Sequence, residues 1–288
     1  MRTLEVTRRI RQLELFTKRL MFNQRIGNSA SKQKGTGFDF DQIREYQTGD
    51  DVRFIDWKSS ARTNKLLLKQ YMQESTRTVL IAVDCSRSML YTSGNHTKYD
   101  TAAFCAGVLA LAAHYAKDAV GLLLFGSTIH RYMPPANAHV QVMRMIDTLF
   151  STTPDDGQTA FADAFEYLAR QPLKNALVIM ISDFIGIDDH RSLALCAARH
   201  DMVAVRTYDK YEQHFPSMGL IMTQDLESGS TLLLDARTIQ KTARALGQHE
   251  DILTSLLRKH RIDALSLDAS HQSLLPLIHF FRRRALAK

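Results

Sequence analysis

The sequence predicts an α/β fold built on a doubly wound, mostly parallel sheet, and three observations carry that prediction. The run Thr78-Val79-Leu80-Ile81-Ala82-Val83 has no polar alternation, as expected of a strand buried on both faces, and it ends in Asp84. Two further apolar runs, Ala119 to Phe125 and Ala176 to Ile181, repeat the pattern, the second ending in Ser182-Asp183. Between them lie segments of helical spacing, above all Lys98 to Ala116, where Phe104, Val108, Leu111 and Tyr115 fall in register. Strands that alternate with helices build a parallel sheet covered on both faces.

Taken in order, residues 4 to 22 place Val6, Ile10, Leu13, Leu20 and Met21 near one face of an amphipathic basic helix, and Asn28 to Gly37 reads as a loop. The segment from Phe38 to Arg62 is dense in acids, arginines and aromatics, with a turn at Thr48-Gly49-Asp50. With no nucleophile or base beside them, its charges read as a buried network of Arg44, Arg53 and Arg62 with Glu45, Asp50 and Asp56. Lys65 to Tyr71 returns as a strand. After the central strand, Thr128 to Met133 fits a short antiparallel edge strand behind the tight Gly126-Ser127 connection, and Val140 to Phe150 a helix. The loop Ser151 to Thr159 opens a helix over Ala160 to Arg170. Later come a helix near His190 to Arg199, a strand over Met202 to Tyr208 and a hairpin flanking Glu227-Ser228-Gly229. Arg237 to His260 reads as a helix weakened at Gly247, Ile262 to Leu267 as a last strand and Ser273 to Arg284 as a last helix. The domain reading is an N-terminal segment over 1–76 and an α/β domain over 77–288 with a hairpin insertion near 215–236.

Charge is placed unevenly. Residues 1 to 36 hold nine Lys/Arg against Glu5 and Glu14, which accounts for the whole net charge of +7, so the body is neutral. No stretch approaches the roughly 20 apolar residues of a membrane helix, and the N-terminus has no apolar signal core. Cys85, Cys105 and Cys196 are odd in number and form no CxxC pair, which suits free thiols and a cytoplasmic setting.

Arg44-Glu45-Tyr46, Gly49-Asp50-Asp51-Val52-Arg53, Ile55-Asp56-Trp57 and Ala61-Arg62-Thr63, followed by a strand ending in the DxSxS string Asp84 to Ser88, resemble the bacterial domain of unknown function fifty-eight. That family is similar to von Willebrand factor A domains. The resemblance implies association with a MoxR-type AAA+ ATPase.

Three strand-end loops offer oxygen atoms: Asp84, Ser86 and Ser88 from the first, Thr159 from the second and Asp183 from the third. In open α/β sheets ligands sit beyond the carboxyl ends of strands. Carboxylates and hydroxyls without sulfur or imidazole suit a hard cation, Mg²⁺ or Mn²⁺. By resemblance the five residues match the metal-ion-dependent adhesion site of von Willebrand A domains, with Cys85 pointing away from the ion. The expected function is a non-catalytic, metal-dependent protein-interaction module that takes a carboxylate from its partner, either the ATPase or a client protein. GxxxxGK[ST], HExxH and GxSxG strings are absent from the sequence. Two other readings stay open at this stage: a metal-dependent phosphoester hydrolase, with Asp155 or Asp156 assisting, and nonspecific nucleic-acid binding through the basic termini.

Overall fold

The computed structural model describes residues 39–63, 65–72, 77–154, 157–173, 176–187, 190–210, 221–224, 231–234, 250–270, 273 and 275–287. The basic helix expected over 4–22, the loop over 28–37 and the helix before residue 250 lie outside them. Among the described residues, those up to 72 belong to one compact unit and those from 77 onward to another.

In the first unit, β1 (Asp39–Glu45) pairs antiparallel with β2 (Leu67–Met72), and the chain between them forms a short 3-10 turn, Val52–Phe54, and helix α1 (Trp57–Thr63). The expected charge network is present in part and lies at the surface. Arg44 grips Asp50 with two bonds of 2.6 and 2.7 Å, and Asp50 also accepts from the Gln47 amide, so together they close the turn in which Gly49 takes φ +108°. Arg53 pairs with neighbouring Asp51, at 84% and 38% side-chain exposure, and Glu45 with Lys65. Asp56 caps α1 by accepting from the Ser59 amide and hydroxyl. The run thus encodes a turn and a helix cap, closed over the buried pair Ile55 and Leu68. Among the described residues these pairs are half-buried or exposed, because they lie at the end of β1, in the following turn and just before β2, and Trp57 is exposed.

The second unit holds a six-stranded sheet. In chain order it comprises β3 (Thr78–Asp84), helix α2 (Lys98–Tyr115), β4 (Ala119–Phe125), β5 (Ile129–Ala136), α3 (His139–Ser151), α4 (Phe161–Arg170), β6 (Leu177–Ser182), α5 (His190–Arg199) and β7 (Asp201–Tyr208). There follow the antiparallel hairpin β8 (Ile221–Gln224) and β9 (Thr231–Leu234), a helix α6 over residues 250–259, β10 (Asp263–Asp268) and α7 (Leu275–Ala287). The strand order is β10-β7-β6-β3-β4-β5, with all neighbours parallel except β4 and β5. From β3 the chain winds outward through β4 and β5, then crosses back and winds the other way through β6, β7 and β10. That makes the β3/β6 boundary a topological switch point, where a crevice opens beyond the strand ends.

Alternate residues of the central strands feed separate cores. Leu80, Ala82, Val178, Met180, Met202 and Ala204 pack with Phe161, Phe165, Leu168, Leu193, Leu253 and Leu256 of α4, α5 and α6. The intervening Val79, Ile81 and Val83 are turned to the other face, where α2 lies on β3. Helix α2 is buried nearly all round, and its Ala102, Ala103, Ala106, Gly107 and Ala110 keep it slim enough to fit between the sheet and α3.

The edge strand β5 runs to Ala136, beyond the expected Met133, because Pro134 and Pro135 need no ladder partner on a free edge and a bulge opposite Gly121 absorbs the register shift. A Cβ at Gly121 would stand 2.8 Å from the Met133 carbonyl oxygen and 2.9 Å from the Pro135 nitrogen. Gly121→Ala is therefore expected to lower stability by about 1–3 kcal/mol in urea unfolding, an overpacking cost. An unchanged midpoint would show that the edge strand yields freely. Among the described residues no helix is long and apolar enough to cross a membrane.

Candidate functional site

Strand β3 delivers Asp84 to the carboxyl edge of the sheet, level with Phe125 at the end of β4. The chain then tightens into a 3-10 turn, Arg87–Leu90, which returns Ser86 and Ser88 over the strand end. Asp84 Oδ1 accepts from the Ser86 amide at 2.9 Å, Oδ2 accepts from the Ser182 hydroxyl at 2.6 Å, and the Ser86 and Ser88 hydroxyl oxygens are 3.1 Å apart. Cys85 is turned away, its thiol donating to the Phe125 carbonyl oxygen.

Across the switch point, Asp183 follows β6 directly. Its Oδ1 accepts from the Ile185 amide at 3.1 Å, and its Oδ2 accepts from Lys98 Nζ at 2.7 Å. Both carboxylates are almost wholly out of solvent. Burial, and after it the charge of Asp183, pushes the Asp84 carboxyl up to about 7, against the opposing hydrogen bonds from Ser182 and Ser86.

Thr159 reaches the same edge through its backbone. The next residue, Ala160, donates its amide to the Gly126 carbonyl at 2.8 Å, just past β4, and Gly157 lies so close to Ser127 that a Cβ there would meet the serine Cβ at 2.3 Å. Among the described residues no hydrogen bond joins Thr159 to the other four.

Beneath the loops lies an aromatic floor. Phe161, two residues after Thr159, stacks on Phe184, one residue after Asp183, with centroids 6.1 Å apart, and meets Phe125 edge-on at 6.0 Å. One packed cluster therefore ties the Thr159 loop, which joins α3 to α4 rather than following a strand, and the Asp183 loop to the end of β4 beside Asp84. Phe184 is held at φ +57°, a left-handed conformation rare for a bulky residue. Burial of its ring in the stack offsets that local strain, and the bend leaves Asp183 facing β3.

Among the described residues, no three His, Cys, Asp or Glu side chains gather as a metal cluster. What gathers at the sheet edge is two carboxylates with serine hydroxyls, oxygen donors of the kind that suits a hard cation better than zinc.

A family model described as "Protein of unknown function DUF58" matches residues 42–251. The chain belongs to this family. Relatives of the chain include uncharacterised proteins of Mycobacterium bovis and of Mycobacterium tuberculosis, each 27% identical over 286 residues that cover 96% of this chain and 90% of the relative. The conserved hypothetical protein BatB from Bacteroides thetaiotaomicron has a similar structure, with a TM-score of 0.50 at 15% identity over 73% of this chain and 99% of BatB. The SpRpn10 VWA domain is a more distant neighbour, with a TM-score of 0.40 at 8% identity over 72% of this chain and 95% of that domain. The DUF58 chain has a doubly wound, mostly parallel α/β fold similar to that of BatB.

Two residues of this DUF58 site escaped sequence reasoning. Ser182 is the bridge from β6 to Asp84, and its oxygen also accepts from the Phe184 amide. Lys98 is the first residue of α2, behind a capping box formed by Thr97 and Asp100. A lysine in the first turn opposes the helix dipole, and burying it adds a desolvation cost, so its presence in an apolar helix signals a carboxylate partner. That signal is visible in Thr97-Lys98-Tyr99-Asp100, although the partner is not.

Proposed function

We propose that the chain is a non-catalytic protein-interaction module of the cytoplasm whose Asp84, Ser86, Ser88, Thr159 and Asp183 hold Mg²⁺ or Mn²⁺ and, through it, a carboxylate of another protein. The observation that carries this reading is the pair of buried carboxylates at the switch point. Asp84 has hydrogen-bond donors but no ion-pair partner among the described residues, and burial, followed by the charge of Asp183, raises its pKa. A donor set of carboxylate and hydroxyl oxygens fits the ion. When bound, the ion supplies a positively charged docking point for one partner oxygen. The protein's own part is to keep that point rigid: Ser182 and the Ser86 amide orient Asp84, the Ile185 amide and Lys98 orient Asp183, and the aromatic floor fixes the loop spacing.

The resemblance to MoxR-associated proteins supplies a partner class, a AAA+ ATPase or its client. Three buried cysteines that form no disulfide among the described residues favour a reducing compartment. Calorimetric titration with Mn²⁺ tests the site. Wild type is expected to bind and to melt higher with the ion, and Ser86→Ala/Ser88→Ala to lose both responses at nearly unchanged metal-free stability. Equal responses would remove the metal reading. Chelator-sensitive capture of the ATPase, absent in Asp84→Ala, tests docking, whereas metal-dependent phosphoester turnover lost in Asp84→Ala would make the protein a hydrolase.

A further inference from the structure

Lys98 has no role in a site that consists only of metal ligands, yet it is among the largest fully buried side chains, and its ammonium sits 2.7 Å from Asp183 Oδ2. The rest of its surroundings are also built. Its amide donates to the Tyr91 carbonyl, its Nζ lies 5.7 Å from the Tyr91 ring centroid, and Thr97 and Asp100 lock the turn from which it projects. The geometry points to Lys98 as a specificity-determining residue: a resident cation that weakens the site's hold on a divalent ion and leaves the loaded site positively charged, so that an anionic ligand completes it. This rests on the metal reading above.

The argument is one of charge balance in a place where water does not screen. With both aspartates ionised, the described site holds two carboxylates and one ammonium, a single excess negative charge. A divalent ion turns that into a single excess positive charge, and hydroxyl ligands leave it unchanged. A carboxylate from outside brings the total to zero. Without the ammonium, the ion alone would neutralise the two aspartates and the loaded site would have no electrostatic demand for a partner. Like charges in a poorly screened interior repel strongly, so the ammonium weakens the ion's binding. In the absence of the ion the same ammonium keeps Asp183 paired, as a buried carboxylate requires.

Mn²⁺ titration by calorimetry, at fixed pH and ionic strength, compares wild type with Lys98→Gln, which keeps a donor for Asp183, and Lys98→Met, which does not; both variants are purified with Mn²⁺ present. The expected result is Mn²⁺ binding tighter by about tenfold or more in both variants. A lower metal-free melting temperature, recovered by Mn²⁺, should accompany it. Acetate in place of chloride, as a carboxylate probe, is expected to tighten Mn²⁺ binding to wild type and to have a smaller effect in the variants. Variants that melt cooperatively with Mn²⁺ but bind it at or below wild-type affinity overturn the role of Lys98 and leave the metal site standing. An acetate effect of equal size in all three proteins overturns the anion-selecting part. If wild type itself fails to bind Mn²⁺, the metal reading and this inference fall together.

Discussion

Phe161→Ala is expected to destabilise the second unit by about 3–5 kcal/mol, the range for deleting a buried aromatic side chain. The ring is buried among Phe125, Phe165 and Phe184, so its loss opens a cavity that helices on both sides of the loop cannot easily close. The damage should also reach the site. Thr159 lies two residues away, and the stack is what ties its loop to the Asp183 loop. Urea unfolding should show the stability loss, and Mn²⁺ titration a weaker affinity in the folded fraction. Phe161→Leu, which refills part of the volume, should recover a large share of both. A loss under about 1 kcal/mol would mean that the floor is not what positions the loops.

A second large effect concerns pH. In metal-free protein the Asp84 carboxyl sits at about 7, above its ordinary value of 3.8, because of burial and then the charge of Asp183. Between those values the folded chain binds a proton that the unfolded chain has released. The stability this carboxyl contributes is therefore fully present below about pH 4 and is lost as the pH rises toward 7. A shift of this size corresponds to about 4 kcal/mol. Asp84→Asn removes the titrating group, so the metal-free variant should be at least as stable as wild type at pH 8 and should lose that part of the wild-type slope between pH 4 and 7. Mn²⁺ should restore wild type at pH 8 and leave the variant largely unmoved. Parallel stability profiles for the two proteins in chelator would contradict the assignment.

The sheet and the edge that carries the candidate site were legible in the sequence for a simple reason. A strand buried on both faces must be apolar throughout, so Thr78 to Val83, Ala119 to Phe125 and Ala176 to Ile181 announce themselves, and Asp84 and Asp183 stand out as the first charges after such runs. The antiparallel edge strand and the hairpin were also visible, because turn residues interrupt β-prone runs locally. The charged motif near residue 50 was misjudged in depth. Its composition suggests burial, but whether Arg53 faces water depends on what packs over the loop, and pattern alone does not carry that.

What only the tertiary structure decided is how distant groups share one buried volume. Lys98 meets Asp183 across 85 residues of chain, and Ser182 meets Asp84 across 98. Phe184 accepts a left-handed backbone because Phe161 stacks on its ring. Periodicity reports which face of an element is apolar, since that depends on neighbours three or four residues away. It is silent on which charge answers which, because partners in a doubly wound sheet are set by strand order, and strand order emerges only when the whole core closes.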